Sequence, residues 1–160
     1  VGLPQSGKTE FIKSISDFPL VSIQKKIVSS EEMIEMDYGR VHVEKNMIYL
    51  YAPAIDHRIE FLWNNLYEEM HGFILLVDGT SNDCIMQSLS LYKAMIVTRN
   101  CPHLTAFTKI DLRNESSQIV ETSFFGSPQL VTNCVCTRRL SVRNVIQLWS
   151  NNWLQKNAAA

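Results

Sequence analysis

Apolar residues recur along this chain in two rhythms. Phe11, Ile12 and Ile15 fall on one helical face, and Ile59, Leu62, Trp63, Leu66 and Met70 follow the spacing of a second amphipathic helix. Ile85, Leu89, Tyr92 and Ile96 mark a third helix, and Val142, Val145, Ile146, Trp149 and Trp153 mark the last. Between them lie runs with strand character: Met36 to Val43, Met47 to Tyr51, Phe73 to Val77, Leu104 to Phe107 and Leu130 to Cys134. The run from Phe73 to Val77 is continuously apolar, the mark of a strand covered on both faces. Val41 to Glu44 and Asn46 to Tyr51, separated by Lys45, predict a hairpin. Strands alternating with helices predict an α/β three-layer sandwich, with a mostly parallel sheet and one antiparallel edge strand. In such sheets ligands sit at the carboxyl ends of the strands.

With 160 residues the chain fits one domain, expected over 1–157, with 158–160 reading as a tag or tail. A composition of 46% hydrophobic and 19% charged residues, with net charge -1, is that of an ordinary globular chain without the basic footprint of a nucleic-acid binder. No run is long enough to span a bilayer. Lys25-Lys26 and Arg138-Arg139 are too short for a membrane or nucleic-acid patch and read as solvated faces. Cys84, Cys101, Cys134 and Cys136 lack zinc-site spacing and disulfide density, which predicts reduced thiols and a cytoplasmic setting.

The sharpest motif comes first. Gly2-Leu3-Pro4-Gln5-Ser6-Gly7-Lys8-Thr9 matches G-x-x-x-x-G-K-[ST] and runs into the Phe11, Ile12, Ile15 helix, as a phosphate loop requires. A chance match at one position is on the order of one in ten thousand. Gly2, Pro4, Gln5, Ser6 and Gly7 would wrap around a phosphate and turn the loop's backbone N–H groups toward it, Lys8 would reach its outer oxygens, and Thr9 would ligand Mg²⁺. Such a loop normally follows a strand, expected here upstream of residue 1.

Thr108-Lys109-Ile110-Asp111 lies at a strand's carboxyl end about a hundred residues later. Here the chain resembles the Ras-like small GTPases, P-loop NTPases whose base-reading motif is Asn or Thr, Lys, any residue, Asp. The resemblance implies a small G-protein fold and a GTP or GDP ligand. Asp111 would accept from both guanine donors, and the stem of Lys109 would lie along the ring. Capping of the next helix is the bland alternative for Asp111. Cys134-Val135-Cys136 looks like the family's final base-contacting loop, with the Cys136 amide meeting the guanine oxygen. Met36 to Val41, Ile48 to Tyr51, Arg58 to Trp63 and Cys134 to Val142 resemble the bacterial and archaeal Arf-related branch. That branch includes gliding-motility GTPases that work with Roadblock-type partners.

The resemblance weakens in the switch regions. Where the family has Asp-x-x-Gly-Gln, this chain has Ala52-Pro53-Ala54-Ile55-Asp56, so Ala52 replaces the metal-supporting Asp and Asp56 the water-orienting Gln. Asp56 is a weak catalytic candidate and a stronger N-cap; His57 reads as a surface residue. The Mg²⁺-binding Thr of the first switch falls near Glu32 or Met33, with Ser29 and Ser30 the nearest hydroxyls. Asp78 is expected to brace its own loop through backbone amides. Three functions follow: a guanine-nucleotide switch with weak or partner-dependent hydrolysis, a pseudo-GTPase interaction module, or a small-molecule kinase or ATPase.

Overall fold

A computed structural model of the chain describes residues 1–26, 33–53, 70–98, 101–112 and 130–158. Its elements are α1 (Lys8–Ile15), β1 (Val21–Lys26), β2 (Met33–Val43), β3 (Asn46–Pro53), β4 (Phe73–Asp78), α2 (Asn82–Thr98), β5 (His103–Thr108), a 3-10 turn at Ile110–Leu112, β6 (Leu130–Cys134) and α3 (Arg139–Ala158).

The strands form a parallel sheet, β4-β5-β6, and an antiparallel sheet, β1-β2-β3. The continuous apolar run of β4 is explained by what covers it. Phe73, Leu75 and Val77 pack with Ile85, Tyr92 and Met95 of α2, whereas Leu76 faces Phe11 and Ile15 of α1 and Val142, Val145 and Ile146 of α3. Each fully buried side chain of this size stabilises by roughly 1.5–3 kcal/mol. The layers are therefore α2, sheet, and α1 with α3.

The antiparallel part is larger than the one edge strand expected, because β1 adds a strand. Only Val21 and Ile23 alternate with polar neighbours there, and Val21 is exposed, so the local pattern is too short to signal a strand. Pairing with β2, Ser22 opposite Asp37 and Ile23 opposite Met36, supplies the order. The hairpin forms as expected: Val43 pairs with Asn46 across Glu44 and Lys45, and Glu44 takes the left-handed φ of 54° that a tight turn needs. The expected helix through Ile59 to Leu66, including Trp63, lies outside the described residues.

β2 crosses α1 at Gly39, where a Cβ would come 2.4 Å from Ile12 Cγ2. Between β3 and β4 lies an apolar slot of about 830 Å³, lined by Phe11, Ile12, Leu50, Ile74 and Trp149 among others. Val1 runs beside β4 in this slot. Its backbone nitrogen donates to the Ile74 carbonyl at 2.8 Å, and its carbonyl accepts from the Leu76 amide at 2.9 Å. Trp149, half-buried, donates to the Pro102 carbonyl at 3.3 Å, and Trp153 sits edge-on to His71, so both tryptophans serve as anchors.

Candidate functional site

The phosphate loop connects Val1, beside β4, to α1. Gln5 and Gly7 have φ of 62° and 93°, left-handed values that turn successive amides toward a common centre. Glycine is required at two points. At Gly2 a Cβ would lie 2.4 Å from Ser6 Oγ and 2.5 Å from the Leu76 carbonyl, and at Gly7 the left-handed φ is joined by a 3.0 Å approach to Cys136 Sγ. Gly7 caps α1 and its carbonyl accepts from the Phe11 amide, so the first helical amides face the loop. Lys8 Nζ donates to the carbonyls of Gly2 and Leu3 at 2.9 and 2.8 Å. Burial lowers its pKa, and the charge of Asp37 partly opposes that. Engaging a phosphate requires this ammonium to exchange two neutral acceptors for charged ones, which are the stronger partners.

Thr108, at the end of β5, joins the two candidate loops. Its fully buried hydroxyl lies 2.9 Å from the Ser6 carbonyl of the phosphate loop and 3.2 Å from the Val77 carbonyl of β4. Lys109 follows in left-handed conformation and pairs with Asp78 at 2.6 Å. Asp78 also accepts from the Thr80 amide at 3.0 Å and from its hydroxyl at 2.6 Å. Burial alone would raise the Asp78 carboxyl, but the bonds from Lys109 and Thr80 outweigh it and hold the group below its usual range. Its expected loop-bracing role is thus met, with a lysine partner added.

Asp111 lies exposed in the 3-10 turn. Cys136 is buried against Gly7, and the Ser14 hydroxyl donates to its carbonyl, which fixes that peptide between α1 and α3. The Cys136 thiol is pushed up by the hydrogen bond with Cys134, by burial, and to a lesser degree by the charges of Cys134, Asp111 and Glu10. It is a neutral thiol facing the same region as Asp111. The phosphate loop, Thr108 to Asp111 and Cys136 therefore converge at the carboxyl ends of β4, β5 and β6.

At the front of the site, Thr9 Oγ1 donates to Asp37 Oδ2 at 2.6 Å, and Ser22 Oγ donates to Asp37 Oδ1 at 2.7 Å. Neither partner was expected from the sequence, although Asp37 stands in the Met36 to Val41 stretch that resembles the Arf-related branch. Their signal is the cross-strand register, which no linear motif carries. Ala52, next to last in β3, is buried and carries only a methyl group. Asp56, His57, Ser29, Ser30 and Glu32 lie outside the described residues, as does the side chain of Met33.

No protein-family profile matches the chain. A curated relative, ADP-ribosylation factor-related protein 1 of Bos taurus, is 22% identical over 103 residues, covering 61% of this chain and 49% of its own length. The chain thus spans about half of that relative. Among solved structures, the Arl6 BBS3 small GTPase from Trypanosoma brucei, with the nucleotide analogue GppNp, superposes with a TM-score of 0.70 at 16% identity, covering 96% of this chain and 94% of its own. The cytosolic domain of the T. maritima FeoB iron transporter in a GDP form gives 0.72 at 17% identity, covering 96% and 61%. Phosphate loop, parallel sheet and flanking helices are thus arranged in the small-GTPase fold that these solved structures share. Among described residues no helix is long and apolar enough to cross a membrane.

Proposed function

We propose that the chain binds GTP or GDP with Mg²⁺ and works as a small-GTPase-like regulatory switch whose hydrolysis is weak or depends on a partner. The observation that carries this reading is the Thr108 hydroxyl. It holds the loop bearing Lys109 and Asp111 against the phosphate loop, as one ligand with a base at one end and phosphates at the other requires. The Gly2 to Thr9 amides and Lys8 would take the phosphates, Thr9 the metal, and Asp111, Lys109 and the Cys136 amide the base. Bound Mg²⁺ would neutralise charge on the outer phosphates.

Ala52 favours the second reading, a pseudo-GTPase, because a methyl group can neither support a metal nor order its water. A small-molecule kinase or ATPase is less well supported, since Asp111 matches the guanine edge. The proposed setting is cytoplasmic, supported by four free cysteine thiols, and the proposed partner is an effector or regulator, with Roadblock-type proteins the first to test.

Isothermal titration with GDP, GTP and ATP, with and without Mg²⁺, tests this. The switch reading expects GDP and GTP to bind far more tightly than ATP, followed by slow Mg²⁺-dependent phosphate release. Preference for ATP overturns the base assignment. No phosphate release over long incubation, with equal partner binding in both nucleotide states, moves the chain to the pseudo-GTPase reading.

A further inference from the structure

β2 brings to the phosphate loop a carboxylate that the linear motifs do not mark. Side chains alternate between the two faces of a strand, and Gly39, Val41 and Val43 of β2 turn toward α1 and the core. Asp37, two residues before Gly39, shares that face and meets the first turn of α1, where it accepts a hydrogen bond from the Thr9 hydroxyl at 2.6 Å. Ser22, Asp37 and Ala52 are direct partners across three strands. The carboxylate of Asp37 therefore starts one strand over, roughly 5 Å, from the backbone position of residue 52.

A phosphate-loop Ser or Thr and an acidic residue from a neighbouring strand together hold Mg²⁺ beside bound phosphates. The ion needs few protein ligands, all hard oxygens, and keeps several waters. Thr9 and Asp37 meet that demand. A carboxylate that accepts the Thr9 hydrogen bond leaves the hydroxyl lone pairs free to face a cation, and its remaining lone pairs can hold the ion's water. Ser22, donating to the other oxygen at 2.7 Å, orients the carboxylate.

We propose that Asp37 is the carboxylate of the Mg²⁺ site, performing from β2 the task that position 52 on β3 has lost. It acts as a positioning residue through Thr9 and water. This rests on the nucleotide reading above.

The test uses the 160-residue chain with a fluorescent GDP analogue, its affinity measured in EDTA and across a Mg²⁺ titration, with Mn²⁺ paramagnetic resonance of the GDP complex as a second readout. Asp37→Asn is expected to raise the Mg²⁺ midpoint by about 10–100-fold while leaving the EDTA affinity unchanged, the range for removing a residue that orients a metal ligand. Ser22→Ala moves the midpoint in the same direction by less. In the double variant Asp37→Asn with Ala52→Asp, the acid returns to the neighbouring strand and most of the Mg²⁺ response is regained. An unchanged midpoint in Asp37→Asn overturns the proposal, as does an equal loss of affinity in EDTA, which indicates a purely structural contact. Wild-type chain that binds GDP without any Mg²⁺ response removes the metal site and spares the nucleotide reading. Wild-type chain that binds no GDP removes both.

Discussion

Replacing Gly39 with alanine puts a methyl group where β2 crosses α1. That carbon would lie 2.4 Å from Ile12 Cγ2 and 3.3 Å from both Cβ and Oγ of Ser16. Ile12 is buried on its helix face, and Cγ2 branches directly from Cβ, so the methyl cannot swing aside without an unfavourable χ1. The strand and helix must separate instead. Overpacking of this kind costs about 1–3 kcal/mol. In a domain of this size each kcal/mol lowers the melting temperature by roughly 2–4 °C. Ile12→Ala removes the opposing methyl and by itself costs about 2–5 kcal/mol through the cavity it leaves. In the double variant the new methyl enters that cavity, so the combined loss falls short of the sum by about 1–2 kcal/mol, within the range for residues in contact. Urea denaturation of the four proteins, followed by circular dichroism, measures this coupling. Additivity to within about 0.5 kcal/mol refutes the claim that Gly39 is glycine because of Ile12.

Lys8→Ala should remove GDP and GTP binding while changing stability by only about 1 kcal/mol, since the lysine's internal partners are two loop carbonyls; retained affinity by titration counters its phosphate role. Asp111→Asn should weaken GDP by at least about tenfold and leave ATP binding alone, because the amide loses one acceptor and a charge; equal losses for both nucleotides count against base reading. Thr108→Val strips two buried carbonyls of a shared donor and should cost about 1–3 kcal/mol while weakening GDP; wild-type stability and affinity together disprove the link.

Much of the candidate site was legible because its residues lie together along the chain. The loop from Gly2 to Thr9 needs its glycines and lysine at fixed offsets, and Thr108 to Asp111 needs contiguous residues at a strand's end. The hydrophobic rhythms located β4, β5, β6 and the three described helices because each buries a periodic face. β1 has little local signal because its order comes from β2 rather than from its own side chains. Asp37 has none as a candidate site residue, because its proposed role depends on lying opposite residue 52 in one direction and Ser22 in the other. The Lys109 partnership with Asp78 likewise joins residues from parallel neighbours 31 positions apart.

The hydroxyl of Thr108 also acts as a ruler. By fastening the ends of two loops to one buried oxygen, it sets the span between the phosphate loop and Asp111 when the chain folds rather than when a ligand arrives. A ligand of matching length meets an already ordered frame and loses little freedom in forming contacts at both ends. A shorter or longer one must leave one end unsatisfied or deform a buried bond. Under the proposed guanine-nucleotide reading, length would thereby be selected along with ring identity, by the same residue that opens the candidate base-reading turn.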